Sequence, residues 1–209
     1  MKKGGMLRAA ASFLLVLSLL FCLSPAKAYA AYVPEFLNWE DSADREPLTE
    51  EEQLENRRVI AAFLREELDL PDSAVAAILA NIFRESSFDP RAIDENGAFF
   101  GLCQWSRSRW MACFTFCREH ELDRFSVEGQ MAFLKSELEG RFDWVYREYL
   151  LPAEISEDGA QDAQYAFCQF YEAPTEMDWE QVRRSKLVAE VFWPLVAEGE
   201  LALTEEPET

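Results

Sequence analysis

Apolar residues recur at helical spacing through most of the chain, and capping hydroxyls, Gly and Pro mark where the runs begin and end. Thr49 followed by Glu50, Glu51 and Glu52 predicts a helix start, a capping hydroxyl ahead of acids at the positive end of the dipole. Leu54, Ile60, Ala61, Phe63, Leu64 and Leu68 then approximate one apolar face. A second helix begins near Asp72-Ser73, carries Val75, Ile78, Leu79, Ile82 and Phe83, and must end before Pro90. Residues 89–105, with Gly97 and Gly101, read as a turn-rich loop or short hairpin. Helical patterns return over 107–120, 126–139, 161–171 and 179–196, the last with Pro194 near its end. There is no internal repeat and no alternation of strands with helices. The chain is mainly helical, with one irregular excursion between its second and third helices.

The first thirty residues break this pattern. Lys2, Lys3 and Arg8 precede the apolar run Ala9–Leu23, and Pro25 and the small-residue patterns Ala26-Lys27-Ala28 and Ala28-Tyr29-Ala30 follow it. That layout predicts a cleavable export signal over 1–30. The run is shorter than the roughly 20 residues a membrane-spanning helix needs, so no stable membrane anchor is expected after cleavage. Residues 31–48 read as a linker, 49–197 as the folded domain and 198–209 as an acidic tail. The expected location is outside the cell, secreted and associated with the wall.

Charge narrows the partners. Against 39 Asp+Glu stand only 20 Lys+Arg, a formal net charge of −19, and the cleaved signal would take Lys2, Lys3, Arg8 and Lys27 with it. No basic footprint remains for nucleic acid. A single histidine argues against a multi-His metal site, and no metal or cofactor is expected. Cys103, Cys113, Cys117 and Cys168 survive cleavage. An even number in an exported chain predicts up to two disulfides, with three pairings open. Cys113 and Cys117, four apart on a helix, are awkwardly placed to bridge, so each is expected to bond elsewhere. Four buried free thiols are the alternative.

Candidate chemistry gathers where the second helix gives way to the loop. Glu85 lies seven residues after Ile78 and three after Ile82, on the apolar face and in the last turn. Desolvation and the negative end of the dipole both favour a protonated carboxyl there, the form able to protonate a glycosidic oxygen. Trp110, at helical spacing from Phe114 and Cys117, is expected in the core. His120 is expected at the surface, too poorly placed against Cys117 for a cysteine peptidase.

The segment resembles the lysozyme-like superfamily, in which a catalytic helix ends in Glu-Ser and a Gly-Leu-x-Gln strand follows. Here these are Glu85-Ser86 and Gly101-Leu102-Cys103-Gln104. More closely the chain resembles the phage tail lysozyme family, through blocks at 76–90, 101–109, 126–134 and Phe170-Tyr171-Glu172-Ala173-Pro174 in the family's order. The resemblance implies a mainly α, lysozyme-like α+β fold with a short hairpin at the cleft. It also implies cleavage of the β-1,4 bond between N-acetylmuramic acid and N-acetylglucosamine in peptidoglycan, with Glu85 as general acid. A second carboxylate is expected from Glu95 or Asp94; counting back from Gly-Leu-x-Gln favours Glu95. Gln104, Trp105 and Phe100 are expected to line the cleft and hold sugar.

Three activities stay open: a muramidase using water, a lytic transglycosylase forming 1,6-anhydro products, and a secreted glycan-binding module without turnover. So acidic a chain is repelled by anionic wall polymers, which disfavours a free antibacterial weapon. Remodelling of the producer's own wall, or local cutting for an envelope-spanning or conjugative apparatus, fits the charge better.

Overall fold

The computed structural model describes residues 46–201. Helix α1 (Glu50–Glu66) opens on a complete capping box: Thr49 Oγ1 accepts from Glu52 N at 3.2 Å, and Thr49 N donates to the Glu52 carboxylate at 2.8 Å. Helix α2 (Asp72–Ser86) comes next, and every residue from Ser73 to Ile82 is buried. The sequence pattern predicts one apolar stripe; instead α2 is enclosed on all sides as the central helix. Ala74, Ala76, Ala77 and Ala80 keep its surface low, so neighbouring helices approach closely.

After α2 the chain runs through an Asp89–Pro90 turn into a two-stranded antiparallel hairpin. It pairs β1 (Phe99–Phe100) with β2 (Trp105–Ser106), and Ile93 adds a single bridge to Phe100. The remaining elements are helical. They are α3 (Arg107–Glu119), α4 (Val127–Leu138), α5 (Asp143–Val145), α6 (Glu157–Ala166), α7 (Met177–Leu187) and α8 (Trp193–Ala197). The principal partner of α2 is α6. Its buried Gly159, Ala160, Ala163 and Ala166 match the small residues of α2. The fold is mainly α with one small hairpin, as expected. Helix α5 lies outside the expected elements, being a single short turn.

Three helices pass into wider π-helical turns, over Tyr146–Leu150, Phe167–Glu172 and Val188–Phe192. In the second, Ala173 N reaches back five residues to Cys168 O at 2.8 Å. The extra residue rotates the end of the turn, so that Tyr171 is buried while Glu172 stands at a cleft. The Val188–Phe192 turn lets α7 run into α8, with Pro194 in the first turn of α8.

Gln130 of α4 clamps the hairpin. Its Oε1 accepts from Leu102 N at 2.8 Å, and its Nε2 donates to Pro90 O and Arg124 O at 2.6 and 2.7 Å. Gly101 is required beneath it: its φ is +71°, and a Cβ there would lie 2.6 Å from Gln130 Oε1.

The four cysteines correct an expectation. All are free and buried. Cys113 and Cys117 face each other across one helical turn, Sγ to Sγ 3.9 Å, where a disulfide needs about 2.05 Å. Cys168 lies against Met177 Sδ. Trp110 is in the core and His120 is exposed, both as expected.

The expected signal over 1–30 and the linker up to residue 45 lie outside the described residues, as does the acidic tail beyond 201. Leu201, past the expected domain end at 197, is buried. Among the described residues no helix is long and apolar enough to cross a membrane.

Candidate active site

A cleft of about 440 Å³ opens where the end of α2, the loop leading into the hairpin, and the start of α7 meet. Its walls include Glu85, Asp94, Gln104, Glu172, Glu180 and Arg184. Glu85 reaches it because α2 ends there. Ser87 takes a left-handed backbone as the C-cap, and Phe88 repeats that conformation, turning the chain sharply away. Ser86 ties this end to the hairpin, its hydroxyl donating to Leu102 O at 2.9 Å. The Glu-Ser pair thus has two jobs: one side chain faces the cleft and the other locks helix to hairpin.

Gln104 and Ala173, on the cleft wall, also hold positive φ, at 42° and 50°. Each such residue costs about 1–3 kcal/mol, and concentrations of such strain mark functional sites.

Arg184 organises the floor. Its side chain is only 2% exposed. It donates to the carboxylate of Glu85, to Asn81 Oδ1 at 2.7 Å and to Glu180 Oε2 at 3.4 Å. Burial disfavours its charge, but the Glu85 carboxylate in contact with it outweighs that and holds the guanidinium charged more firmly than usual. This alters the expected setting of Glu85. Its carboxylate is in direct contact with the buried Arg184 guanidinium. Glu180 is shared with Arg84, at 2.9 Å. Burial opposes its charge, and Arg84 and Arg184 outweigh burial, holding its carboxyl below the ordinary range.

Asp94 is the acid of the expected pair that lines the cleft. Its Oδ1 accepts from Ala98 N at 2.5 Å and Phe99 N at 2.8 Å, and its Oδ2 from Asn96 N at 3.2 Å. Burial pushes toward the neutral form, and these N–H groups prevail, so its carboxyl is held below its usual value. A depressed carboxyl contributes stability above its unfolded value of about 3.9, lost as pH falls through the folded value. Asp94→Asn should therefore be less stable than wild type at pH 7 by about 1 kcal/mol. The gap should narrow as pH falls below the usual carboxylate range, as urea unfolding at neutral and at acid pH would measure. Equal stability at pH 7 would refute the clasp.

The structure places the other candidates elsewhere. Glu95, which the count from Gly-Leu-x-Gln favoured, is exposed in the turn and outside the cleft lining. Gln104 lines the cleft, its amide donating to Gly101 O at 3.1 Å. Phe100 and Trp105 correct the expectation of sugar contacts, being 2% and 1% exposed. Phe100 stacks on Trp110, and burying such a ring is worth about 1.5–3 kcal/mol. The Trp105 indole donates to Glu137 Oε2 at 3.1 Å and Tyr171 Oη at 3.0 Å, so its polar edge is satisfied inside the core. The exposed ring at the cleft is Phe99.

Sequence reasoning missed Arg184, Glu180 and Glu172. Glu172 stands in the block 170–174, a signal for its region but not for its role. Among the described residues no group of acids, His or Cys is arranged to hold a metal ion.

A family model described as phage tail lysozyme matches residues 55–192. That span runs from α1 through α7 and includes every cleft residue named above. A search of curated proteins finds no match.

Proposed function

Because the chain belongs to the phage tail lysozyme family, whose activity is lysis of peptidoglycan, we propose that it is a muramidase cutting the β-1,4 bond between N-acetylmuramic acid and N-acetylglucosamine. One observation carries the reading: Glu85, at the end of a buried helix, and Asp94, held ionised by backbone N–H groups, line the same cleft. Two carboxyls in different environments are what glycosidic hydrolysis requires. Glu85 gives its proton to the leaving oxygen as the C1–O bond breaks. Arg184 steadies the carboxylate left behind. Water, positioned by Asp94, adds to C1 and returns a proton to Glu85. The Gln104 amide and the Phe99 ring supply a polar contact and a stacking face for the sugar.

A second reading, lytic transglycosylation, has its own support. Asp94 spends both oxygens on its loop, which weakens it as a base, and ring closure by the substrate's own C6 hydroxyl needs only one acid. Mass spectrometry of products from purified peptidoglycan separates them. Fragments ending in reducing N-acetylmuramic acid are expected. Mostly 1,6-anhydro ends would favour the transglycosylase, and no fragments at all would overturn both.

The leader-like first thirty residues support action outside the cell, at the wall. The chain's acidity favours local cutting beside an envelope-spanning or conjugative apparatus over free diffusion through anionic polymers.

A further inference from the structure

We infer that Asn81 is a positioning residue for the acid of this cleft: it never meets the sugar, and it aims Glu85 by fixing the Arg184 guanidinium that joins the two. The inference rests on the reading of Glu85 as the acid. Every link is a hydrogen bond. Asn81 Oδ1 accepts from Arg184 Nη1 at 2.7 Å, and Glu85 Oε1 accepts from Arg184 Nη2.

Asn81 and Glu85 lie one turn apart on α2, so their side chains stand one above the other. Glu180 and Arg184 hold the same spacing on α7, and Arg184 Nη2 also reaches Glu180 Oε2 at 3.4 Å. The two helices therefore meet over a single guanidinium. Asn81 is fully buried, in the stretch of α2 that is closed on all sides, and it is not among the residues lining the cleft. Glu85 does line it.

The guanidinium has few handholds. Its Nε is buried without a hydrogen-bond partner. Nη2 is divided between Glu85 and Glu180, and the partner of Nη1 is Asn81. A planar group held at Nη2 alone can swing about that point and carry the Glu85 carboxylate with it. Held at both nitrogens, it has one orientation. Asn81 is itself pinned. Its Nδ2 donates to Ala77 O at 2.8 Å, inside α2, which leaves Oδ1 as the end that meets Arg184.

An amide suits this position better than a carboxylate. It supplies the acceptor that Nη1 needs and adds no charge, so the cation is left to Glu85 and Glu180. A general acid works when its oxygen lies within about 2.6–3.2 Å of the leaving oxygen. Glu85 meets the guanidinium through Oε1, and Oε2 is left for the sugar. Displacing a reacting group by about 1 Å can cost about 10²-fold in rate, so a fixed guanidinium matters to turnover and little to substrate affinity.

The test is Asn81→Leu, which fills similar space and offers no acceptor. Initial rates on purified peptidoglycan are counted per folded molecule, with the folded fraction read by circular dichroism. The kcat should fall about 10–10²-fold and KM stay within about twofold of wild type. Asn81→Asp, which keeps an acceptor for Nη1, should cut faster than Asn81→Leu. A merely structural Asn81 would cost folded protein and leave kcat per folded molecule unchanged, and that result overturns the inference. So does a loss confined to KM. Should Asn81→Leu fail to fold, Asn81→Ser carries the same expectation, since its hydroxyl can bond back to Ala77 O but falls short of Nη1. A second measurement needs no turnover. In protein carrying isotope-labelled arginine, nuclear magnetic resonance should resolve the Nη1 protons of Arg184 in wild type and find them averaged by rotation in the variant. Averaging already present in wild type overturns the inference. If wild type releases no fragments while those protons are resolved, the muramidase reading falls and the clamp on Glu85 stands.

Discussion

Glu85→Gln is expected to lower glycan cleavage by about 10²–10⁴-fold, the range that general acid catalysis supplies. The amide fills the same space at the end of α2, and its oxygen can still accept from Arg184, but it has no proton to give to a leaving oxygen. Folding should survive. Arg184 keeps Asn81 Oδ1 and Glu180 as partners, so its charge is not stranded in the interior. Release of fragments from purified peptidoglycan measures the first effect, and a thermal melt monitored by circular dichroism checks the second. A folded Glu85→Gln protein cutting at the wild-type rate would remove Glu85 from the chemistry.

The largest stability effect should come from Glu137→Ala. Glu137 on α4 accepts from Arg109 Nε and Nη2, from Trp105 Nε1 and from Tyr171 Oη, the last at 2.6 Å. Its side chain is 10% exposed and that of Arg109 16%. Truncation leaves a guanidinium holding only the Tyr171 carbonyl, and a buried phenol whose acceptor is gone. Breaking one side of a buried ion pair costs about 3–5 kcal/mol. That is a large share of the roughly 5–15 kcal/mol that holds a domain together. Urea unfolding gives the number directly, and a loss below about 1 kcal/mol would mean that water replaces the carboxylate. Because the same group anchors Tyr171, cleavage by the surviving folded fraction should fall as well.

Much of the scaffold was legible locally. The Thr49–Glu52 box, the close of α2 before Pro90, and the hairpin at Gly101 depend on residues within a few positions of each other. Glu85 was legible as well, since its place on the apolar face follows from helical periodicity and the Glu-Ser pair matches a known pattern. Trp105 and Phe100 were misread for an instructive reason. An aromatic beside a catalytic loop suits a sugar face, and only the acceptors on Glu137 and Tyr171, 32 and 66 residues away, draw the Trp105 indole inward. Between Asp94 and Glu95, adjacent in sequence, the turn decided which faces the cleft.

The sequence by itself therefore determined the helical pattern, its caps and stops, the acidic balance and the family to which the residues point. These are interactions between near neighbours, or properties of composition, and they survive without knowledge of packing. Only the tertiary structure decided which acids share one cleft and which of them carries charge. Arg184 lies 99 residues from Glu85, and Glu172 reaches the same cleft from a widened turn. Proton affinity depends on burial and on every charge nearby in space, and those distances are set only when remote helices pack.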